Sequence, residues 1–560
     1  MRIGNYNKYR SAVATVTPRE AWYSELSIDS SGASGTNGLA IDSDTLYLKS
    51  AGGSSLQALD IARTGKVGLY SAMLPSSTGR LVDWSTAAHD EHLVAAGDEH
   101  GVVAVWKNRT PKHTISVHSA ACASVQFHPT VADILVTSSN TGATGELKLW
   151  SIDSADSNAI WRATTAGAIH SISVRGDGAL VAASTSSGTC MVYDPRQPAN
   201  SLVGKTAAVH APDRPTRVLW LGEKPYMLST GLTKMRERSA ALWDQRNLAK
   251  PLSSLLLQPS TKPLLPLYDE DTQLAYLIEK GDSIVRWVDA DPSSATPLSE
   301  LGSVSLPAQI TGCALLPKSR LKVMNGEIAR IHLVVGSPGV GAGASVIPVA
   351  HVAIRRSYLD FHCDLFPDTR APLPAQTLDQ WMANEDARIP RMSLDPSKTE
   401  ESLASLRRVN AVQIPTDNIS NSHARAPVLA CSVTITTSHR DENDTAANCE
   451  QSSTEPGCTQ TVESPSVTRR ELTDPLLPSS VAPKCTSTLG AGRNDIDTTA
   501  TERSLEQPSG LIAQRLFGKS DHARFKYLEG FSYRPTDHFT GLPELNTRFP
   551  QENDPLRVSA

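Results

Sequence analysis

Fifteen histidines, 58 acidic residues and eight cysteines give this chain of 560 residues ample raw material for acid–base or metal chemistry. Little of it falls at a working spacing. Neither a Gly-x-Ser-x-Gly nucleophile elbow nor a His-Glu-x-x-His metal helix is present. The cysteines (Cys122, Cys190, Cys313, Cys363, Cys431, Cys449, Cys458, Cys485) contain no Cys-x-x-Cys pair, which argues against zinc, and they are expected to be reduced thiols. A glycine-rich run, GSPGVGAGAS (336–345), follows the strand-like Ile331–Val335 where a phosphate loop would sit. It lacks the Gly-Lys-Ser/Thr that carries phosphate and metal, and reads as a mobile loop. One spacing does suit a shared task. His118 precedes Trp150 by 32 residues, with Phe127-His128-Pro129 and then Val136-Thr137-Ser138 between them. An imidazole, a hydroxyl and an indole so placed can join in one hydrogen-bond chain, which organises a fold rather than transforming a substrate. The sequence predicts no enzyme and no cofactor or metal.

The elements that would position such a chain are strands. Segments such as LVAAGDEHGVVAVW (93–106) pair apolar runs across a polar, Gly-containing turn. An aromatic or apolar residue ending a short strand recurs at Trp106, Trp150, Tyr193, Trp243 (followed by Asp244) and Trp287, with spacings of 44, 43, 50 and 44. Leu59-Asp60 and Ile331-His332-Leu333 extend the series to about seven marks. A period of roughly 40–45 residues with a Trp-Asp-like end is the signature of WD40 repeats, so the fold class is all-β, a seven-bladed WD40 β-propeller.

The chain changes character once. No Phe, Tyr or Trp occurs between Trp381 and Phe517. The stretch is rich in Ser, Thr, Pro, Asp and Glu and lacks the apolar surface that would offset chain entropy. The organisation expected is a propeller over 1–355, a short extension over 356–395, a disordered Ser/Thr/Pro-rich linker over 396–515 and an aromatic-rich segment over 516–560. With 53 basic against 58 acidic residues the net charge is −5, which gives no global reason to expect a nucleic acid partner. The opening MRIGNYNKYR has no apolar core behind its charges, and no run of about 18 apolar residues follows anywhere. No transmembrane segment is expected, and a cytoplasmic location is.

Several segments are more specific than the period. HAPDRPTRVLWLGEKPYMLSTGLTKMRERSAALWDQRNLAKPL (210–252), MVYDPRQP (191–198), LLPLYDEDTQLAYLIEKGDSIVRW (264–287), LLPKSRLKVMNGEIARIHL (315–333) and DFHCDLFPDTRAPLPAQTLDQWM (360–382) resemble blade and post-propeller motifs of the coronin family, as does Lys8-Tyr9-Arg10 at the start. The resemblance covers about 1–395. ARFKYLEGFSYRPTDHFTGLPELNTRFPQEND (523–554) resembles the opening of a second coronin repeat. The pattern is that of the long tandem class, with the chain expected to be a fragment holding the amino-terminal propeller, the linker and a truncated second repeat.

The resemblance implies a scaffold without catalytic residues that binds or organises actin filaments and couples them to vesicle or Golgi traffic. It also implies a cytoskeleton-associated location, reaching the Golgi or vesicle membrane periphery. The alternative is a trafficking or ubiquitin-ligase adaptor, with trafficking or regulatory proteins as partners and little actin affinity. Two departures bear on the choice. Residues 396–560 carry no sustained apolar heptad, so coiled-coil oligomerisation as in short coronins is not expected. In short coronins a basic residue soon after the opening motif is linked to filament binding, yet WYSELSIDSSGASG (22–35) has Ser30 near that place and no Lys or Arg. The charges of Arg236, Arg238 and Lys280 sit within the family motifs. They read either as interaction residues or, more simply, as salt bridges that hold adjacent blades in register. The linker's Ser464-Pro465 offers a kinase site.

Overall fold

The computed structural model describes residues 7–413, except 30–35, 68–70, 77, 154–157, 295, 337–339 and 386. The readings of Ser30, of the linker beyond 413 and of the second-repeat segment lie outside the described residues.

Seven antiparallel sheets follow one another along the chain. In each, the first strand (A) is innermost and the fourth (D) outermost. Blade 1 comprises Ala40–Ile41, Thr45–Lys49, Ser55–Asp60 and Ala72–Pro75; blade 2, Leu81–Thr86, Leu93–Asp98, Val102–Lys107 and Thr110–Ser116. Blade 3 comprises Cys122–Phe127, Ile134–Thr141, Thr144–Ser151 and Trp161–Thr165; blade 4, Ile169–Val174, Val181–Thr185, Cys190–Tyr193 and Leu202–Lys205. Blade 5 comprises Arg217–Trp220, Tyr226–Leu232, Glu237–Asp244 and Ser253–Pro259; blade 6, Leu264–Asp269, Leu274–Glu279, Ile284–Asp289 and Ser299–Ser305. Blade 7 takes Ile310–Leu315, Glu327–Val335 and Val340–Val352 from the end of the propeller, and its outer strand from the amino terminus. Val13–Val16 pairs with Val349–Val352, and Tyr23–Asp29 pairs with the earlier part of the same strand. The ring is thereby closed by backbone hydrogen bonds, which cover the outer edge of the blade 7 C strand.

The B and C strands are buried on both faces, as in Leu93–Asp98, where all six residues are buried. That is why they read as near-continuous apolar runs, while D strands alternate, as in Ser253–Pro259. All five predicted aromatic marks lie on C strands: Trp106, Trp150, Tyr193, Trp243 and Trp287. The acidic residue that closes a C strand has a local task. Asp60, Asp194, Asp244 and Asp289 each accept a hydrogen bond from the backbone N–H two residues on, at 2.8, 3.0, 3.0 and 3.3 Å. These are Asx-turns that start the C–D connection.

Three expectations need correction. The seventh mark, at Ile331, falls on a B strand, because the C strand of blade 7 is Val340–Val352 and carries no aromatic residue. The glycine-rich run is therefore strand from Val340 onward rather than loop, its backbone laid against the amino-terminal strand with Val340 opposite Asp29 and Ala344 opposite Leu26. Finally, the chain does not lose regular structure at 396, since Thr399–Gln413 is a helix (α2). Its sequence consists largely of good helix formers, and Leu403 and Leu406, three apart, pack on the core. Absence of aromatics hid an element that needs only a narrow apolar stripe.

The extension crosses the lower face, the one bearing the A–B and C–D connections. Tyr9 Oη donates to the Leu365 carbonyl at 2.7 Å, tying the amino terminus to the start of the strap. Arg370 donates to the Gly176 carbonyl of blade 4 at 2.5 Å, and Ala375 N–H to the Thr130 carbonyl of blade 3 at 2.8 Å. A short helix, α1 (Leu378–Met382), opens with a capping box of Thr377 and Gln380. It buries Trp381 edge-on to His128, with ring centroids 4.7 Å apart. Returning, Arg391 reaches Glu223 of blade 5 at 2.8 Å and Glu270 of blade 6 at 3.1 Å. The strap thus touches the A–B loops of blades 3, 4, 5 and 6.

Candidate functional site

The hydrogen-bond chain read from spacing exists in blade 3. His118 Nε2 meets Thr137 Oγ1 at 2.9 Å, and Trp150 Nε1 donates to the same hydroxyl at 3.0 Å. His118 Nδ1 lies 3.0 Å from Ser139 Oγ and 3.1 Å from Glu146 Oε2. Burial pushes the His118 pKa down to about 4, so the ring is neutral and structural. Blade 5 holds a second complete set that the sequence reading missed. His210 Nε2 is 2.8 Å from Ser229 Oγ, which accepts from Trp243 Nε1 at 2.8 Å, and His210 Nδ1 is 3.0 Å from Ser239 Oγ. The missed signal was His210, 33 residues before Trp243. In both cases a left-handed glycine of the preceding blade, Gly101 or Gly188, lies so close to the histidine carbonyl that a Cβ would approach to 2.3 Å. Glycine is required there by contact as well as by φ.

Of the three charges singled out in the family motifs, the structure separates each from the others. Arg236 is exposed, at the tip of the B–C turn of blade 5, with φ of 63°. The turn is stiff: Arg236 N–H donates to the Thr233 carbonyl at 2.9 Å, and Ser260 N–H donates to the Arg236 carbonyl at 2.8 Å. Arg238 is only 1% exposed and cannot meet a partner. Its guanidinium bonds Glu279 of blade 6, lies 3.5 Å from Asp282, and donates through Nε to the Lys262 carbonyl at 3.3 Å. Glu279 is shared with Arg286 at 2.8 Å, and Arg286 continues to Glu300 at 2.7 Å. The reading of Arg238 as an interaction residue is corrected: its charge joins blade 5 to blade 6, because a buried guanidinium needs a carboxylate partner. Lys280 is half-buried at the channel mouth, its Nζ donating to the Thr36 carbonyl at 3.3 Å.

One exposed surface among the described residues is the tip of blade 5. Lys234, Met235 and Arg236 are consecutive and exposed, Met235 to 80%. The same face, bearing the B–C and D–A connections, carries exposed Arg214 and Lys262. The turn presents an exposed apolar side chain flanked by two cations on a loop held by a rigid scaffold. Sequence reasoning passed over Lys234 and Met235 although both stand in the quoted motif; the signal was an apolar residue at the centre of a polar turn.

Among the described residues, one trio of possible cation ligands converges, Asp42, Asp44 and His92 on the lower face. Its atoms are engaged in holding loops: Asp42 accepts from Ser43 N–H at 2.6 Å and from His92 N–H, and Asp44 accepts from Thr45 Oγ1 at 2.9 Å. Among the described residues no helix is long and apolar enough to cross a membrane.

Comparison with known proteins agrees with this architecture. A model described as a type of WD40 repeat matches residues 346–389. Mouse and human coronin-7 are each 26% identical over 98% of the chain, which spans about half the length (54%) of these curated relatives. The coronin-like protein crn1 of Schizosaccharomyces pombe is 27% identical over 74% of the chain and 68% of its own length. The WD40 domain of Toxoplasma gondii coronin superposes with a TM-score of 0.62 at 22% identity, covering 69% of this chain and 98% of that one. The sequence resemblance and the seven-bladed fold are both borne out.

Proposed function

We propose that this chain, which is of the coronin family, acts as a non-catalytic WD40 scaffold that binds or organises actin filaments and couples them to vesicle or Golgi traffic. The observation that carries the reading is the exposed Lys234-Met235-Arg236 tip on a family motif. It offers two cations and an apolar anchor to an acidic, partly apolar surface, and its stiff turn lowers the entropy lost on contact. The propeller supplies a rigid frame and the upper face the contact.

The test is co-sedimentation of the full chain with actin filaments at low and at physiological salt. Screening shortens the reach of exposed charges to about 8–10 Å, so pelleting should be saturable and weaken as salt rises. Lys234→Glu with Arg236→Glu should remove most of it while leaving the fold intact. A second reading is favoured by the stretch 22–35, which contains no Lys or Arg. In that reading the chain is a trafficking or ubiquitin-ligase adaptor with little actin affinity. Absence of pelleting at either salt would support it and refute the first.

A further inference from the structure

The seven A strands surround a channel of about 340 Å³ whose lining includes Asn37, Asp83 and Arg217. Arg217 opens the A strand of blade 5 and donates through one terminal nitrogen to Asn37 Oδ1 at 2.8 Å. Its Nε is buried and has no acceptor among the described residues. Lys280 lines a small adjoining cavity with Thr36 and Gly38, just after the B strand of blade 6. Burial and the neighbouring charge of Arg217 lower its pKa to about 8. Lys280 Nζ donates to the Thr36 carbonyl and Arg217 to Asn37 Oδ1, on successive residues, which sets the two cations beside one another at the upper mouth.

Asp29, Glu279 and Asp282 are engaged elsewhere, whereas Asp83, close to both cations, offsets part of their charge while it is ionised. Asp29 is shared by Lys49 at 3.1 Å and Arg80 at 2.7 Å. Glu279 and Asp282 serve Arg238. Asp83 accepts from Val125 N–H at 3.0 Å, and among the described residues no carboxylate oxygen lies within ion-pair distance of Arg217 or Lys280. Burial raises the Asp83 pKa to about 6, so it loses its charge more readily than an ordinary aspartate and then donates a hydrogen bond instead.

We propose that the upper mouth of the channel is a binding site for a phosphate oxyanion, held by the Arg217 guanidinium and the Lys280 ammonium. A planar fork and a point charge together suit a tetrahedral, multiply charged anion better than a single carboxylate, which one guanidinium already satisfies. The phosphate comes either from free inorganic phosphate or from a phosphoseryl side chain entered from the upper face. The site is distinct from the Lys234-Met235-Arg236 tip and does not rest on filament binding.

The experiment is isothermal titration of the full chain with inorganic phosphate at constant ionic strength, then with the tripeptide Gly-phosphoserine-Gly. Saturable phosphate binding is expected. It should weaken at least tenfold in Arg217→Gln and in Lys280→Gln, and stay within twofold in Lys107→Gln on the opposite face. Far-UV circular dichroism checks each fold. Should Arg217→Gln fail to fold, Lys280→Gln, in a turn, carries the test. Displacement of phosphate by the tripeptide assigns the source to a phosphorylated partner; phosphate binding without tripeptide binding assigns it to the free anion. Either outcome upholds the site. No phosphate binding, or equal affinity in the wild type and Lys280→Gln, overturns it.

Discussion

Arg238→Met tests whether the charge in the family motif is architecture or contact. The substitution keeps much of the aliphatic volume and removes the guanidinium from a site 1% exposed. Breaking a buried pair typically costs about 3–5 kcal/mol because the remaining charge is left alone. Here Glu279 keeps Arg286 at 2.8 Å, so the residual carboxylate is not orphaned and the cost falls below that range, to about 1–2 kcal/mol. The carbonyls of Lys262 and Lys280 also lose a donor, at 3.3 and 3.4 Å. Together these give about 2–3 kcal/mol. With a urea dependence of about 3 kcal/mol per molar, the unfolding midpoint should fall by roughly 0.7–1 M. Filament pelleting by Arg238→Met, measured well below its midpoint, should match the wild type. An unfolding midpoint within 0.2 M of wild type, or lost pelleting in a fully folded variant, would refute the assignment of Arg238 to the blade 5–blade 6 joint.

Other perturbations follow from the same geometry. Ser229→Ala removes the hydroxyl shared by His210 and Trp243 and leaves two buried ring nitrogens without a partner, for a loss of about 2–4 kcal/mol in urea unfolding. Trp381→Ala empties the pocket beside His128, and a cost of about 3–5 kcal/mol is expected, concentrated in the strap. Limited proteolysis should then cut between 383 and 398 faster while the propeller stays resistant. Burial lowers the pKa of His89, His118, His210 and His351 to about 4 and of His128 and His332 to about 3. The unfolded chain therefore takes up protons first as pH falls below about 6.5, and stability present above that pH is lost progressively down to about 4 or below, on the order of 1 kcal/mol per histidine by pH 5.5. Asp83 and Asp271, both raised to about 6 chiefly by burial, act in the opposite sense between pH 6 and 4, each by less than one histidine at pH 5.5. The histidines outnumber them, so the thermal midpoint should be lower at pH 5.5 than at 7.5; a midpoint unchanged or higher at pH 5.5 contradicts this balance.

What the sequence exposed and what it hid divide along the range of the interactions concerned. The Trp-Asp marks were legible because they report local events, an aromatic on a C strand followed by an Asx-turn, as at Trp243-Asp244. Blade 7 was misplaced at Ile331 because its C strand has no aromatic and its outer strand is supplied from residues 13–29. No local pattern encodes that pairing. The roles of Arg236 and Arg238 were equally hidden, since two charges two residues apart look alike until Glu279, 41 positions away, is brought against one of them. The Met235 tip was in plain view, but a period-based reading treats turns as punctuation. The helix at 399–413 escaped because composition averaged over a long polar stretch dilutes two leucines.

The way the ring closes also sets an order of events at the ribosome. Val13 pairs with Val352, 339 residues later. At synthesis rates of about 5–20 residues per second, the amino-terminal strand waits roughly 20–70 s for the strand that will receive it. During that interval Val13–Val16 has no strand to pair with, whereas Tyr23–Asp29 can already lie beside Gly65–Lys66 of the nascent chain. Blades 1 to 6 can each form from contiguous chain, yet the molecule stays an open arc until the last of it emerges. The nascent protein is thus most in need of a chaperone at its first strand, until Val352 has emerged.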